Sequence, residues 1–285
     1  MALNHGVIMP ELPEVETILR GLSPHIEGAK IEEAIIRTPQ LRWPIPELNR
    51  FIAQQTIINI SRRGKYLLFH LKTGTIIFHL GMSGRLCLLT QFKPAQRHDH
   101  VDIFLTNKQV LRYTDPRRFG AILWTTDNPL QHPLLKNLGV EPLTDELTAD
   151  YLVKRAAHRT KAIKPFIMDS KIVVGIGNIY AAESLFLAGI HPLMSAGMLT
   201  TLQAQRLIDV IQQVLARAIT QGGTTLKDFV NSEGSPGYFS QQLLVYGRAG
   251  LPCVKCKEPL HSIVLGQRST VFCTHCQPLV SACFA

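Results

Sequence analysis

The chain has 285 residues, 46% of them hydrophobic and 18% charged. That is too apolar for general disorder, and long enough for two domains with separate cores. No apolar run approaches the roughly 20 residues a membrane-spanning helix needs, and Met1 to Met9 lack the basic and long apolar stretches of a secretory signal, so a cytoplasmic address is expected. Thirty Lys and Arg against 21 Asp and Glu leave a net charge of +9 and a pI near 9.4. Such a balance points to a polyanionic partner, nucleic acid before an anionic membrane surface, although a basic protein with neither stays open.

In chain order, Pro10-Glu11-Leu12-Pro13-Glu14-Val15-Glu16-Thr17 crowds prolines and carboxylates at the start of a helical pattern carried by Val15, Ile18, Leu19 and Leu22. Proline suits a first helical turn and acidic groups complement the helix dipole there. From about Lys30 to Trp124 the chain is strand-like. Short runs such as 34–36, 66–69, 75–78 and 101–105 are separated by turns such as 72–74 and 106–108, which predicts a β-sandwich or barrel. Residues 127–142 lose the two-residue period and read as a linker. Helical pattern follows over 147–157, over 178–187 after Gly175-Ile176-Gly177, and through Leu207, Ile208, Ile211, Leu215, Ala218 and Ile219, with Gly222-Gly223 as the stop.

Four of the six cysteines form two C-x2-C pairs, Cys253 with Cys256 and Cys273 with Cys276, separated by sixteen residues; Cys87 and Cys283 stand apart. In a chain without a secretory signal this spacing predicts metal ligation, and four thiolates close a tetrahedral zinc site with no position left for water. One structural Zn2+ is expected. Residues 263–265 and 269–272 read as a hairpin around Gly266-Gln267, with Arg268 at its exposed tip. Local sequence leaves Arg268 open between a solvated turn residue and a phosphate contact.

Six segments in this order resemble the bacterial formamidopyrimidine-DNA glycosylase family over residues 9–277. They are Pro10 to Thr17, Lys65-Tyr66-Leu67-Leu68, His79-Leu80-Gly81-Met82-Ser83-Gly84, Asp115-Pro116-Arg117-Arg118-Phe119-Gly120, Gly175-Ile176-Gly177-Asn178-Ile179-Tyr180-Ala181 and the four-cysteine finger. The related endonuclease VIII family shares the Pro-Glu start, the helical domain and the finger but lacks the Asp-Pro-Arg-Arg-Phe-Gly segment, which favours purine lesions. The resemblance implies an α+β chain, with an N-terminal β-sandwich followed by a helix-two-turn-helix domain and a C-terminal zinc finger. It divides the chain into an extension at 1–9, a catalytic domain at 10–130, a linker at 131–146, a DNA-binding helical domain at 147–240, the finger at 241–277 and an unassigned tail at 278–285.

By that resemblance the chain is a monomeric base-excision repair enzyme acting on double-stranded DNA that carries oxidised purines or abasic sites, with no membrane partner. Pro10 is the amine nucleophile, Glu11 the neighbouring acid and base, and Glu14 an acidic group that holds the N-terminus. Lys65 and Arg268 belong to the catalytic set as phosphate contacts near the lesion. Asn178 contacts phosphate at a helix start, where free amides already favour an anion. Met82, Arg117 and Phe119 fill the gap left by the extruded nucleotide, and Arg117 and Phe119 share a side if their segment is extended. Ordinary core packing is the other reading of Met82 and Phe119, a strand-end lysine that of Lys65, and a plain loop position that of His98, which resembles a DNA-contacting histidine. The loop from Thr224 to Tyr238 is implied to cover the extruded base.

Three departures matter. An internal proline nitrogen is a tertiary amide and cannot form an iminium, so translation from Met9 and removal of that methionine are expected to expose Pro10. A chain that keeps the extension would bind lesions without cutting them. Thr160-Lys161 stands in the reverse of the expected order, and no phosphate contact is assigned to either residue. The apolar tail from Pro278 to Ala285 runs past the family's usual end. A zinc-finger nucleic-acid module without activity is the remaining reading of the chain, and it leaves the Pro-Glu start and the Asp-Pro-Arg-Arg-Phe-Gly segment unexplained.

Overall fold

The structure, a computed structural model, describes residues 10–222 and 242–279. The expectations for residues 1–9, for the loop from Thr224 to Tyr238 and for most of the tail lie outside the described residues. Those described form two compact units, one up to Asn137, the other Leu138–Gln221 together with the chain from residue 242.

The first unit opens with helix α1 (Leu12–Ile26), then β1 (Ile31–Ile36), α2 (Leu48–Ile52), β2 (Ile57–Arg63), β3 (Tyr66–Leu71), β4 (Gly74–His79), β5 (Arg85–Leu89), β6 (Asp99–Leu105), β7 (Val110–Thr114) and β8 (Ala121–Thr125). Two four-stranded antiparallel sheets result, ordered β1-β6-β7-β5 and β2-β3-β4-β8. Alternate residues supply one core: Leu67, Phe69 and Leu71 from β3, Val101, Ile103 and Leu105 from β6, with Val15, Ile18, Leu22 and Ile26 of α1 packed into it. Of the sandwich and the barrel that the strand pattern leaves open, this is the sandwich. The five-residue helix α2 falls inside the stretch read as all strand; a single turn and a half is too short to display a helical period.

In the second unit α3 (Ala149–Ala156), α4 (Ile163–Ile167), α5 (Asn178–Ala188) and α6 (Thr201–Thr220) precede a two-stranded hairpin of β9 (His261–Leu265) and β10 (Arg268–Phe272). Helix α6 starts on a reciprocal capping box between Thr200 and Gln203, and its apolar face includes every residue the periodicity selects. Helix α5 buries nine of its eleven residues, so it is the centre around which the unit packs. A second apolar cluster joins Ala182 and Phe186 of α5 to Val245, Leu260, Val271 and the cysteines.

Candidate active site and nucleic-acid interface

Pro10 immediately precedes Glu11, the N-cap of α1. The Glu11 backbone N–H donates to Glu14 Oε2 at 2.9 Å, one half of a capping box, and both carboxylates are buried. One turn further on, Glu16 accepts from Arg62 Nε at 2.8 Å, and Arg62 Nη1 donates to the Gly64 carbonyl at 2.9 Å. Helix α1 is thereby tied to the two-residue turn Gly64-Lys65 that joins β2 to β3, and Lys65 sits half-buried in that turn. Burial opposes ionisation of Glu16, but hydrogen bonds from Arg62 and Arg20 outweigh it and hold the carboxyl below its ordinary range.

His79 ends β4 with its ring 4.7 Å from Tyr66. Burial, with the charges of Lys65 and Arg42, pushes its pKa down to about 4 against the opposing pull of Asp115. Its Nδ1 accepts the Gly81 N–H at 3.1 Å. Gly81 begins the turn that carries Met82, which is half-buried. Arg117 and Phe119 are exposed, Phe119 by 46%, so the core-packing reading fails for Phe119. The segment from Asp115 to Gly120 is not extended. It turns at Pro116-Arg117 and passes through Arg118 in the left-handed region (φ 56°), yet the Arg117 guanidinium still stacks on the Phe119 ring, 5.0 Å from its centroid. His98 is half-buried and its carbonyl accepts the Asp115 N–H at 3.0 Å.

In the second unit Asn178 is the first residue of α5. Its Oδ1 accepts from Lys164 Nζ at 2.7 Å and its Nδ2 donates to the Ser269 carbonyl at 3.1 Å. Lys164, almost wholly buried, also donates to Thr270 Oγ1 at 2.7 Å. The start of α5 is thus fastened to β10 beside Arg268, which is exposed. A cavity of about 220 Å³ opens there, lined by Lys161, Lys164, Met168, Asp169, Gly266 and Arg268. Three cations to one carboxylate suit an anion. Sequence reasoning missed Lys164 and left Lys161 unassigned. It also missed Glu183 of α5, whose buried carboxylate accepts the backbone N–H groups of Leu244, Val245 and Tyr246 at 2.8–2.9 Å.

The sulfurs of Cys253, Cys256, Cys273 and Cys276 all lie within 4.8 Å of one another. Cys256 and Cys273 are 3.4 Å apart, Cys253 and Cys276 3.9 Å, close to the ~3.8 Å edge of a tetrahedron with ~2.3 Å Zn–S bonds. Burial and the other three thiols push the Cys276 thiol up to about 12. An all-sulfur, four-donor set fits one structural Zn2+.

Comparison with known proteins gives three consecutive matches. Family models described as the formamidopyrimidine-DNA glycosylase N-terminal domain, its H2TH domain and a zinc finger found in FPG and IleRS match residues 9–122, 138–230 and 250–279. Formamidopyrimidine-DNA glycosylases of Teredinibacter turnerae and Cellvibrio japonicus are each 56% identical, over 94% of this chain and 100% of theirs. Among solved structures, the MutM (FPG) protein of Thermus thermophilus matches at a TM-score of 0.85 with 34% identity, over 95% of this chain and 100% of that one. Wild-type Lactococcus lactis Fpg in complex with DNA containing N7-benzyl-Fapy-dG matches at 0.87 with 35% identity, over 94% and 100%.

Proposed function

The chain belongs to the formamidopyrimidine-DNA glycosylase family, and from that premise we propose that it excises oxidised purines from duplex DNA and then cuts the strand through a Schiff base on Pro10. The observation that carries the assignment of residues is the placement of Pro10 directly ahead of a buried Glu11–Glu14 cap at the head of α1. An α-amine has a reference pKa of about 7.7–8.0, so a useful fraction is neutral near physiological pH. The Pro10 nitrogen attacks the sugar C1′, the bond from C1′ to the base breaks, and the base leaves with its electron pair and takes up a proton. Glu11 protonates the ring oxygen as the sugar opens to the iminium. The iminium acidifies the C2′ protons. Loss of one of them expels the 3′ phosphate by β-elimination, and a second elimination, with loss of a further proton, expels the 5′ phosphate.

Lys65, Asn178 and Arg268 bind backbone phosphates in this reading, and His98 contacts DNA. Met82, Arg117 and Phe119 occupy the gap left by the extruded nucleotide; the exposure of Phe119 and its stack with Arg117 support this. Cys253, Cys256, Cys273 and Cys276 hold the structural Zn2+, which fixes the finger and takes no part in the chemistry. The chain acts as a monomer in the cytoplasm on the chromosome. Because an acylated Pro10 has no nucleophilic lone pair, the active form lacks residues 1–9. If they persist, the chain binds lesions without cutting them.

Borohydride trapping on a duplex carrying 8-oxoguanine opposite cytosine tests this, with the 285-residue chain beside one that starts at Met9. The shorter chain alone is expected to give a covalent adduct, and Pro10→Gly to lose cleavage while still binding. Unchanged cleavage by Pro10→Gly, or no adduct from either chain with zinc present and DNA bound, overturns the reading.

A further inference from the structure

In the first unit, the turn that carries Met82 and the loop that carries Arg117 and Phe119 come from distant parts of the sequence but share one backbone contact. Gly81 has φ 62°, and a Cβ placed on it would lie 2.4 Å from the Phe119 carbonyl carbon and 2.5 Å from Gly120 N. Gly120 is as tightly enclosed, since a Cβ there would lie 1.7 Å from the Tyr113 hydroxyl. No side chain fits between turn and loop. Beneath this contact lies the carboxylate of Asp115, which is wholly buried. Its Oδ1 accepts from Ser83 Oγ of the turn at 2.6 Å and from the Arg117 N–H of the loop at 3.3 Å. Its Oδ2 accepts from the Gly120 N–H at 2.8 Å and from the Tyr113 hydroxyl at 3.4 Å. Arg117 N–H also donates to Ser83 Oγ at 3.1 Å.

The main chain of Asp115 is held as well. Its N–H donates to the His98 carbonyl at 3.0 Å, and its own carbonyl accepts from His100 Nε2 at 2.8 Å. His100 Nδ1 lies 2.9 Å from Thr38 Oγ1, which fixes that buried ring in turn. A buried carboxylate with donors on both oxygens offsets its desolvation only while every donor keeps its place. Moving turn and loop apart would therefore break the Ser83 bond to the buried carboxylate together with the Arg117 bond to Ser83.

The geometry points to Asp115 as the positioning residue that fuses the Met82 turn and the Arg117–Phe119 loop into one rigid wedge, set before DNA arrives. This rests on the reading that these three residues replace an extruded nucleotide. Preset geometry matters there because ordering a loop during insertion would be subtracted from the energy available to unstack a base. Asp115 touches no reacting atom in this scheme; it acts through the residues it locks.

Two variants of the chain that begins at Pro10 test the proposal. Asp115→Asn places an amide donor against N–H and O–H donors. Ser83→Ala removes the turn's hydrogen bond to Asp115 and its acceptor for the Arg117 N–H, and keeps the carboxylate. Each is assayed for single-turnover excision of 8-oxoguanine from a duplex, and for cleavage at an abasic site in a single-stranded oligonucleotide, where no paired base has to be displaced. Duplex excision should fall about 30-fold for Asp115→Asn and about 3- to 10-fold for Ser83→Ala, with single-strand cleavage held within about twofold. Equal losses on both substrates would mean a merely structural role and overturn the proposal, as would wild-type duplex excision by Asp115→Asn. Should Asp115→Asn fail to fold, Ser83→Ala decides alone, and unchanged duplex excision by it overturns the wedge. Failure of the wild-type chain on both substrates would remove the underlying function instead, and the wild-type control reads that separately.

Discussion

At the scale of single residues, His79 shows how the site fixes a charge state. Its Nδ1 accepts the Gly81 N–H, so the neutral ring with its proton on Nε2 is the form that fits, and burial beside Lys65 and Arg42 holds the pKa at about 4. Protonation would turn that acceptor into a donor facing a donor, next to the turn that carries Met82. The folded-state value is depressed below the 6.5 of a free histidine. His79 therefore contributes stability that is complete above pH 6.5 and is lost as pH falls toward 4. On the linkage relation the loss by pH 5 is on the order of 2 kcal/mol. NMR of the His79 ring should show no titration between roughly pH 5.5 and 8. A midpoint near the free value would mean the ring is solvated and the turn is not held through it.

At the scale of elements, the ion pair of Glu16 with Arg62 joins the helix that carries Pro10 and Glu11 to the turn that carries Lys65. Glu16→Gln should destabilise the β-rich unit by about 1–2 kcal/mol at neutral pH. Because the folded-state pKa of Glu16 is lowered from 4.5, its contribution is present above that value and disappears as pH falls through the lowered one. Urea melts of wild type and variant should therefore differ at about pH 7 and converge only as the pH falls below that lowered value. A gap that persists in acid would show that shape, not charge, joins the two elements. The apolar runs of β3 and β6 were legible as short β-branched and aromatic stretches between turns, and the apolar face of α6 because burial on one side of a helix imposes a period. Helices α2 and α4 were not, since five residues cannot display one. The turn at Arg118 and the partners of Lys164 were also hidden. Asp115 shapes the first through contacts to a turn some thirty residues away, and Lys164 bonds to Thr270 across more than a hundred.

At the scale of the whole molecule, the net charge of +9 supplies attraction to DNA of any sequence, and a phosphate contact at Arg268 would turn part of it into a placed contact. A two-stranded hairpin such as β9–β10 is marginal alone. Here the four-cysteine cluster closes one side of it, and Lys164 and Asn178 grip Thr270 and Ser269 beside Arg268. If Arg268 contacts a phosphate, Arg268→Ala removes one released counterion. The slope of log affinity against log salt should then become shallower by about 0.9, for lesion and undamaged duplex alike. Chelating the zinc should weaken both duplexes at least as much, since the hairpin that positions Arg268 loses its clamp, while the melting of the β-rich first unit stays where it was. Isothermal binding at several salt concentrations separates the alternatives. Loss confined to the lesion duplex with an unchanged slope would make Arg268 a reader of the base. A chelated chain that keeps its affinity would mean that Lys164 and Asn178 hold the hairpin without the metal.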